Sequence, residues 1–281
     1  MPKNLSFHRA TQVAFAISTL LLAQSAMAED FIKGGEDKFT FNIGGIVNQF
    51  STSVTLNGGT QKGTPIDLEG NGLKNGLSSL QVAGTWRITE RNRVDGLYFS
   101  ASRNGSKTYD RDIHVGDYVL DANASVNAKA EDRFLLLDYR YSFVKNDAYE
   151  LAGALGFYGG NFKFNVSGTG TVNGSEEASA SISSSSSTTV PLPVIGLTVD
   201  WYLQPQWKVQ GALMGMKAKI GDVDGNVTLF QLGTDYMFTR NWGVGISYFY
   251  SKINADITKS GFNGNIDWKS NAFLLYATAK F

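Results

Sequence analysis

Residues 272–281 read AFLLYATAKF. If this stretch is extended, alternate side chains point to opposite faces. One face then carries only apolar side chains, namely Phe273, Leu275, Ala277, Ala279 and Phe281. The other face mixes apolar residues with Thr278 and Lys280. A face that is apolar over about nine residues has the length that a tilted strand needs to cross the hydrocarbon layer of a membrane.

The same alternation recurs before four short turns. A polar residue, an aromatic residue, a variable one and an apolar one follow each other in Thr85–Ile88, Asp138–Tyr141, Asp200–Leu203 and Asp235–Phe238. Alternating segments also follow the turns, beginning at Val94, Tyr149, Trp207 and Trp242. Period-two alternation predicts strands. The sequence therefore predicts an all-β protein, most simply a closed antiparallel up-and-down barrel of ten strands, with eight strands as the alternative.

The connections differ in length between the two ends of the strands. Short turns are predicted at 90–93, 145–148, 204–206 and 240–241. At the other end, long loops are predicted at 56–77, 105–130 and 168–189, and tight hairpins at Asp224-Gly225 and Asn263-Gly264. This asymmetry is typical of outer-membrane barrels, whose turns are periplasmic and whose long loops are extracellular. A soluble β-sandwich, the alternative, has no reason to segregate its loops in this way.

Aromatic residues cluster near the short turns. We expect them to form a girdle at the periplasmic interface, made of Trp86, Tyr139, Trp201, Trp207, Tyr236 and Trp242. In lipid every backbone amide must be paired, so strands with such faces have to close into a barrel.

The final segment resembles the C-terminal insertion signal of outer-membrane barrel proteins, with a terminal Phe281 and apolar residues at alternate positions. The third-from-last residue is usually aromatic in that signal, and here it is Ala279. The resemblance is to the broad porin-like class of small barrels in the outer membrane of Gram-negative bacteria. It implies outer-membrane lipid, lipopolysaccharide and the barrel-assembly machinery as partners.

The N-terminal residues have the pattern of a cleaved secretory signal peptide, predicted over 1–28. Lys3 and Arg9 precede the apolar stretch Val13–Ala23, and Ala26-Met27-Ala28 forms the cleavage motif. A membrane anchor helix is the alternative, but 11 apolar residues are fewer than the roughly 20 that a spanning helix needs. We then expect a periplasmic segment over 29–37 and the barrel over 38–281.

Composition excludes several classes of function. The chain has 25 basic and 25 acidic residues. Without Lys3 and Arg9 the balance is 23 against 25, a net charge of −2, which argues against nucleic acid as a partner. There is no cysteine, so disulfides and thiolate metal sites are excluded. No cofactor is expected.

A ten-stranded barrel is narrow, because eight strands are just filled by side chains. The alternation points six charged residues inward near the turns: Arg87, Asp138, Arg140, Asp200, Asp235 and Lys280. Three acids and three bases at similar depth indicate a neutralised layer, since unpaired charges would be costly to bury. The alternative is a gate or selectivity ring, for which Arg87→Ala would increase conductance.

Three function classes stay open. The first is a porin-like or structural barrel with at most a narrow pore, and the second is a binding or adhesion barrel that works through its outer loops. The third is a rim hydrolase with Asp110, Asp112 and His114 as weak catalytic candidates. Omptins are ten-stranded barrel proteases that use Asp and His at their rim, but their catalytic residues form two separated pairs, whereas these three residues fall in one stretch.

Two polar motifs have simpler explanations than a ligand site. Asp222–Asn226 resembles the start of a calcium loop but lacks the downstream Glu, so no metal site is predicted. The run Ser183–Thr189 (SSSSSTT) is predicted to be a flexible loop tip.

Overall fold

The computed structural model describes residues 35–58, 63–70, 73–108, 112–115, 118–120, 125–169, 182–259 and 262–281. The predicted signal peptide (1–28) and Asp110 lie outside these ranges. The strands are β1 (Phe39–Leu56), β2 (Ile66–Asp67), β3 (Gly76–Arg87), β4 (Asn92–Thr108), β5 (Ile113–Val115), β6 (Tyr118–Leu120), β7 (Ser125–Lys145), β8 (Tyr149–Thr169), β9 (Ile182–Gln204), β10 (Trp207–Ile220), β11 (Val223–Met237), β12 (Trp242–Lys259) and β13 (Phe262–Lys280). No helix in the described ranges is long and apolar enough to cross a membrane.

Ten long strands form a closed barrel. Each pairs antiparallel with its sequence neighbour in the order β1, β3, β4, β7, β8, β9, β10, β11, β12 and β13. The barrel closes where β13 pairs with β1, from Thr40 opposite Lys280 to Leu56 opposite Gly264. The short strands β5 and β6 form a separate hairpin between β4 and β7. The predicted ten-stranded up-and-down barrel is confirmed.

The wall of the barrel has an apolar outer face and a filled interior. On β13, Phe273 and Leu275 are 68% and 64% exposed, whereas Ala272 and Leu274 are 0% and 5% exposed. Exposed apolar residues recur on the outer face of the neighbouring strands and form one continuous belt. A belt of this size would be a severe liability in water, but it suits contact with lipid.

The strands are longer than a membrane requires. A tilted strand crosses the hydrocarbon layer in about 10 residues, yet β7, β8 and β9 contain 21, 21 and 23 residues. The predicted loops at 105–130 and 168–189 are therefore too long, because β4, β7, β8 and β9 continue into them. The run Ser183–Thr189, predicted as a flexible tip, lies in β9 and pairs with β8 over its whole length. Serine and threonine tolerate an extended pairing as long as the backbone has a partner strand.

Both predicted tight hairpins are misplaced by three residues. Ile220 pairs with Val223, so the β10–β11 turn is at Gly221-Asp222, where Gly221 has a φ of +57°. Likewise Lys259 pairs with Phe262, so the reversal precedes Asn263-Gly264. Glycine is needed at 264 for a different reason, since an added Cβ there would overlap the backbone of β1.

One seam of the barrel wall is incomplete. β3 pairs with β4 only from Arg87 opposite Arg93 to Gln81 opposite Phe99, although β4 continues to Thr108. In the space beyond β3, the short strand β2 pairs with β1 instead. We call residues 63–70 and 73–75 the loop insert, because this part of the first long loop fills the gap.

Candidate functional site

Charged side chains occupy the lumen of the barrel near the turns. We call them the turn-end charge layer, which consists of Asp37, Arg87, Arg93, Asp95, Asp138, Arg140, Glu150, Asp200, Lys208, Asp235 and Lys280. Six acids thus face five bases. Apart from the half-buried Asp95, Arg140 and Lys208, these residues are at most 8% exposed.

One pair of this layer joins β3 to β8 through two hydrogen bonds. The two terminal nitrogens of Arg87 donate to the two carboxylate oxygens of Glu150, each at 3.0 Å. The Ser142 hydroxyl also donates to Glu150. Bidentate pairing of this kind combines charge with fixed geometry, so it holds strands on different parts of the barrel wall together.

Of two further pairs at the same level, the first crosses the lumen from β4 to β9 and the second joins the neighbouring strands β10 and β11. Arg93 Nη1 donates to Asp200 Oδ2 at 2.6 Å. Lys208 Nζ lies 3.0 Å from Asp235 Oδ2, and the hydroxyl of Tyr276 donates to the other oxygen of Asp235 at 2.6 Å. Buried charges are tolerated only when paired and hydrogen-bonded, and this arrangement meets that requirement.

The six charged residues predicted from the sequence all lie in this layer, but only two of them form an ion pair with each other. Arg140 Nε lies 2.5 Å from Asp138 Oδ2, two residues away on β7. Sequence reasoning missed the partners of the others, namely Asp37, Arg93, Asp95, Glu150 and Lys208. A signal for two of them was present, because Glu150 and Lys208 each follow an interface aromatic residue and so share the inward face.

Asp37 is the member of the layer that lies outside the strands. Its pKa is below the ordinary value of 3.8. Burial, the largest single cause, raises the pKa, but the charge of Lys280, a hydrogen bond from the Thr40 hydroxyl (2.5 Å) and the charges of Lys208 and Arg87 together lower it by more. The carboxylate is therefore ionised at neutral pH and helps to neutralise Lys280.

A polar cavity of about 90 Å³ adjoins the charge layer. Gln81, Gln210, Gln231 and Ser247 add uncharged polar groups to its lining. A cavity of this size and polarity holds several water molecules. It is too small for a sugar or a peptide.

Towards the loops, buried aromatic rings pack inside the lumen. We call them the aromatic layer, which consists of Phe50, Phe99, Phe134, Tyr158, Phe162 and Trp268. All six are at most 5% exposed. The centroid of Phe134 lies 4.2 Å from that of Trp268 and 4.8 Å from that of Phe99. Rings from several strands therefore pack against each other inside the barrel at this level.

The loop insert is anchored beside the aromatic layer by a buried arginine. Arg103 Nη2 donates to Asp132 Oδ2 at 2.9 Å, and Arg103 also pairs with Glu69 of the insert. The arginine lies over the ring of Phe50, with Cζ 4.1 Å from its centroid. Ile66, Leu68 and Leu73 of the insert are at most 5% exposed. The insert is thus part of the barrel core.

The predicted girdle residues lie on the outer wall near the turns. Trp86, Tyr139, Trp201, Trp207 and Trp242 are 43–53% exposed, and Tyr236 is half-buried. Of the predicted insertion signal, Phe273, Leu275, Ala277 and Phe281 are exposed on the outer face, whereas Ala279 is 8% exposed.

The weak catalytic candidates are not assembled into a described site. Asp112 is exposed, Asp110 lies outside the described residues, and His114 is placed by its backbone pairing with Val119 in the β5–β6 hairpin. Within the described ranges, no group of three or more His, Asp or Glu residues is placed to bind a metal ion.

Solved structures share this architecture. The outer membrane protease OmpT from Escherichia coli is 12% identical, with 91% of this chain and 100% of that chain covered and a TM-score of 0.59. The chain has the fold of an outer-membrane β-barrel. The translocator domain of the autotransporter NalP from Neisseria meningitidis is 12% identical, with 98% and 97% covered and a TM-score of 0.43. No family model and no curated protein matches the sequence. The likeness concerns the fold alone.

Proposed function

We propose that the chain is an integral outer-membrane barrel of the porin-like kind whose lumen is closed. Its short turns face the periplasm and its long strand ends extend outside the cell. The apolar belt supports residence in a membrane, and the fold of OmpT supports the outer membrane as that membrane. The observation that carries the proposal is that two buried layers, one charged and one aromatic, fill the lumen in series.

The two layers have different consequences for transport. The aromatic layer excludes water, so an ion crossing it would lose its hydration at a cost of many kcal/mol. The charge layer is polar and adjoins a hydrated cavity, which makes it the weaker barrier. We therefore expect the aromatic layer to limit conduction, with at most a leak of small ions.

Planar-bilayer recording of the refolded chain tests this directly. The wild type should show no steady conductance steps. Phe134→Ala/Trp268→Ala should show small steps, since it removes the two rings whose centroids are 4.2 Å apart. Leu135→Ala, a truncation on the lipid-facing side of the same strand, is the matched control and should stay silent. Large steady steps from the wild type would refute closure of the lumen.

Binding at the cell surface is the second candidate, and the length of β7, β8 and β9 favours it. These strands continue together beyond the apolar belt, with Asn165 still paired to Ser185. A paired sheet held outside the membrane offers a surface to an external ligand. Replacing residues 165–185 by Asn-Gly should abolish attachment of bacteria to host cells or matrix while leaving the barrel folded. Unchanged attachment would reject this function.

A rim hydrolase has the least support, because the fold likeness to a protease does not extend to catalytic residues. Turnover of peptide or lipid A by the purified barrel, lost in His114→Ala, would establish it.

A further inference from the structure

The loop insert lies in a groove of the barrel wall in the manner of an extended peptide. Its strand β2 pairs antiparallel with β1, where Ile66 lies opposite Val54. Leu68 N then donates to Thr52 O at 2.9 Å. Ile66 and Leu68 point into the core and are at most 5% exposed, whereas Asp67 between them is exposed. Sheets bind extended peptides in this way, through the edge of one strand and pockets for alternate side chains.

A carboxylate site lies at the end of this groove. Glu69 Oε2 accepts a hydrogen bond from Thr52 N at 2.5 Å, and Glu69 Oε1 accepts one from the Thr52 hydroxyl at 2.9 Å. Arg103 Nη1 donates to the same Oε1. A guanidinium group together with a backbone N–H and a hydroxyl forms charge-assisted hydrogen bonds that suit a carboxylate. All three donors belong to the barrel wall, and the insert supplies the carboxylate.

The barrel does not need the Glu69 carboxylate to balance its buried charge. Arg103 also donates to Asp132 Oδ2 at 2.9 Å, and neither of these two side chains has exposed surface. With Glu69 in place, two carboxylates share one guanidinium group and repel each other. If the insert left the groove, Arg103 and Asp132 would remain as a balanced pair. Departure of the insert is therefore not opposed by an uncompensated buried charge.

The groove is longer than the segment that fills it. The pairing of β2 with β1 covers two residues, although β1 continues to Leu56. On the other side of the groove, β4 continues beyond its pairing with β3, from Ser100 to Thr108. Among the described residues, one backbone bond joins the insert to this part of β4, from Lys74 N to Asn104 O at 3.4 Å. A longer extended chain has edges on both sides to pair with.

We propose that this groove binds an extended peptide of a partner protein, and that the loop insert occupies it as an internal competitor. The insert shows the sequence that fits, namely an apolar residue, any residue, a second apolar residue and an acidic residue, as in Ile66–Glu69. The acidic side chain pairs with Arg103, and the apolar side chains enter the core. This inference goes beyond the proposed closed barrel and does not depend on it, so conductance and peptide binding can fail separately.

Fluorescence anisotropy of a labelled peptide, mixed with the refolded chain in a neutral detergent, tests the groove. The probe is Thr64–Gly70 (TPIDLEG). The same peptide carrying Glu69→Gln should bind about tenfold more weakly, because it loses the charge-assisted bonds. In the chain variant Glu69→Ala the competitor loses its anchor, so the probe should bind about tenfold more tightly than to the wild type. Glu131→Ala is the matched control and should bind as the wild type does, because Glu131 lies on the outer face of β7 and pairs with Lys129.

A second measurement uses the wild type alone and does not depend on the folding of a variant. Saturating probe should displace the insert, so hydrogen exchange of the chain's own Leu68 amide should accelerate about tenfold. Unchanged exchange at saturation would place the peptide elsewhere and overturn the proposal. Equal affinity of Glu69→Ala and Glu131→Ala for the probe, or equal affinity of the two peptides, would do the same. Wild-type dimers that the probe dissociates would assign the groove to the insert of a second copy and would overturn a separate partner.

Discussion

Replacing Arg103 by methionine should release the loop insert while leaving the barrel folded. Arg103 and Asp132 have no exposed side-chain surface, and the Glu69 side chain is 11% exposed. Without the arginine, two carboxylates would be left in the core with no cation. Breaking a buried pair in this way costs about 3–5 kcal/mol.

The insert can avoid this cost by moving, whereas β7 cannot. Glu69 belongs to a short segment whose backbone is held by a few bonds, such as the one from Leu68 N to Thr52 O at 2.9 Å. If opening recovers about 3 kcal/mol, the open population of the insert rises about 150-fold. Hydrogen exchange of the Leu68 amide should accelerate by that factor, and protease should cut within 63–75.

Two controls separate this mechanism from a general loss of stability. Arg133→Met removes an exposed arginine of β7 and should leave exchange at Leu68 unchanged. Glu69→Gln/Arg103→Met/Asp132→Asn removes all three charges and should restore slow exchange, since no uncompensated charge remains. Wild-type exchange in Arg103→Met, or fast exchange in the triple variant as well, would refute the proposed role of Arg103 in holding the loop insert.

Further predictions concern the charge layer and the closing seam. Arg87→Ala removes both charge-assisted bonds to Glu150 and leaves it only Arg93 Nη1 at 3.7 Å and the Ser142 hydroxyl, so it should lower the free energy of unfolding by about 1.5–3 kcal/mol, seen as an earlier heat-induced gel shift; conductance should stay absent, because the aromatic layer is intact. Gly44→Ala should destabilise by about 1–3 kcal/mol, since its Cβ would lie 2.5 Å from Tyr276 Cα, whereas Gly45→Ala, with open space around its Cβ, should not; equal melting temperatures would contradict this. The lowered pKa of Asp37 means that its carboxylate stabilises the fold at neutral pH, that this contribution begins to fall below the ordinary pKa of 3.8, and that it is lost as the pH falls through the lower pKa of the folded state; the stability difference between the wild type and Asp37→Asn should shrink over that range.

The wall of the barrel could be predicted from the sequence because one physical rule decides it. Side chains alternate along a strand, and one face of each strand must contact lipid. Alternate positions around Leu275 are therefore apolar and face outward, with few exceptions. Ala279 is such an exception, since it is small enough to be covered by its neighbours. The hairpin at Asn263-Gly264 was predicted wrongly because a glycine can have more than one cause. Gly264 is required by the close approach of β1 and not by a turn.

The interior could be predicted only in part. Alternation assigns Arg93 and Asp200 to the inward face, but they are 107 residues apart and meet across the lumen. Which strands face each other across the lumen depends on the stagger of all ten, and a local pattern does not carry that information. The loop insert could not be predicted, because the sequence around Leu68 and Leu73 has neither strand nor helix periodicity. Their burial is explained only by the gap beside β3, which is a property of the folded barrel.

The central claim is that one face of each strand contacts lipid while the other closes the lumen, and single cysteines on β13 test both halves together. The chain has no cysteine of its own. Ala277 is exposed on the outer face and Ala272 is fully buried inside. In membranes, Ala277→Cys should react with a lipid-soluble maleimide but not with a charged, water-soluble thiol reagent, and Ala272→Cys should react with neither. Rapid reaction of Ala277→Cys with the charged reagent would contradict a lipid-facing wall, and rapid reaction of Ala272→Cys would contradict a closed lumen.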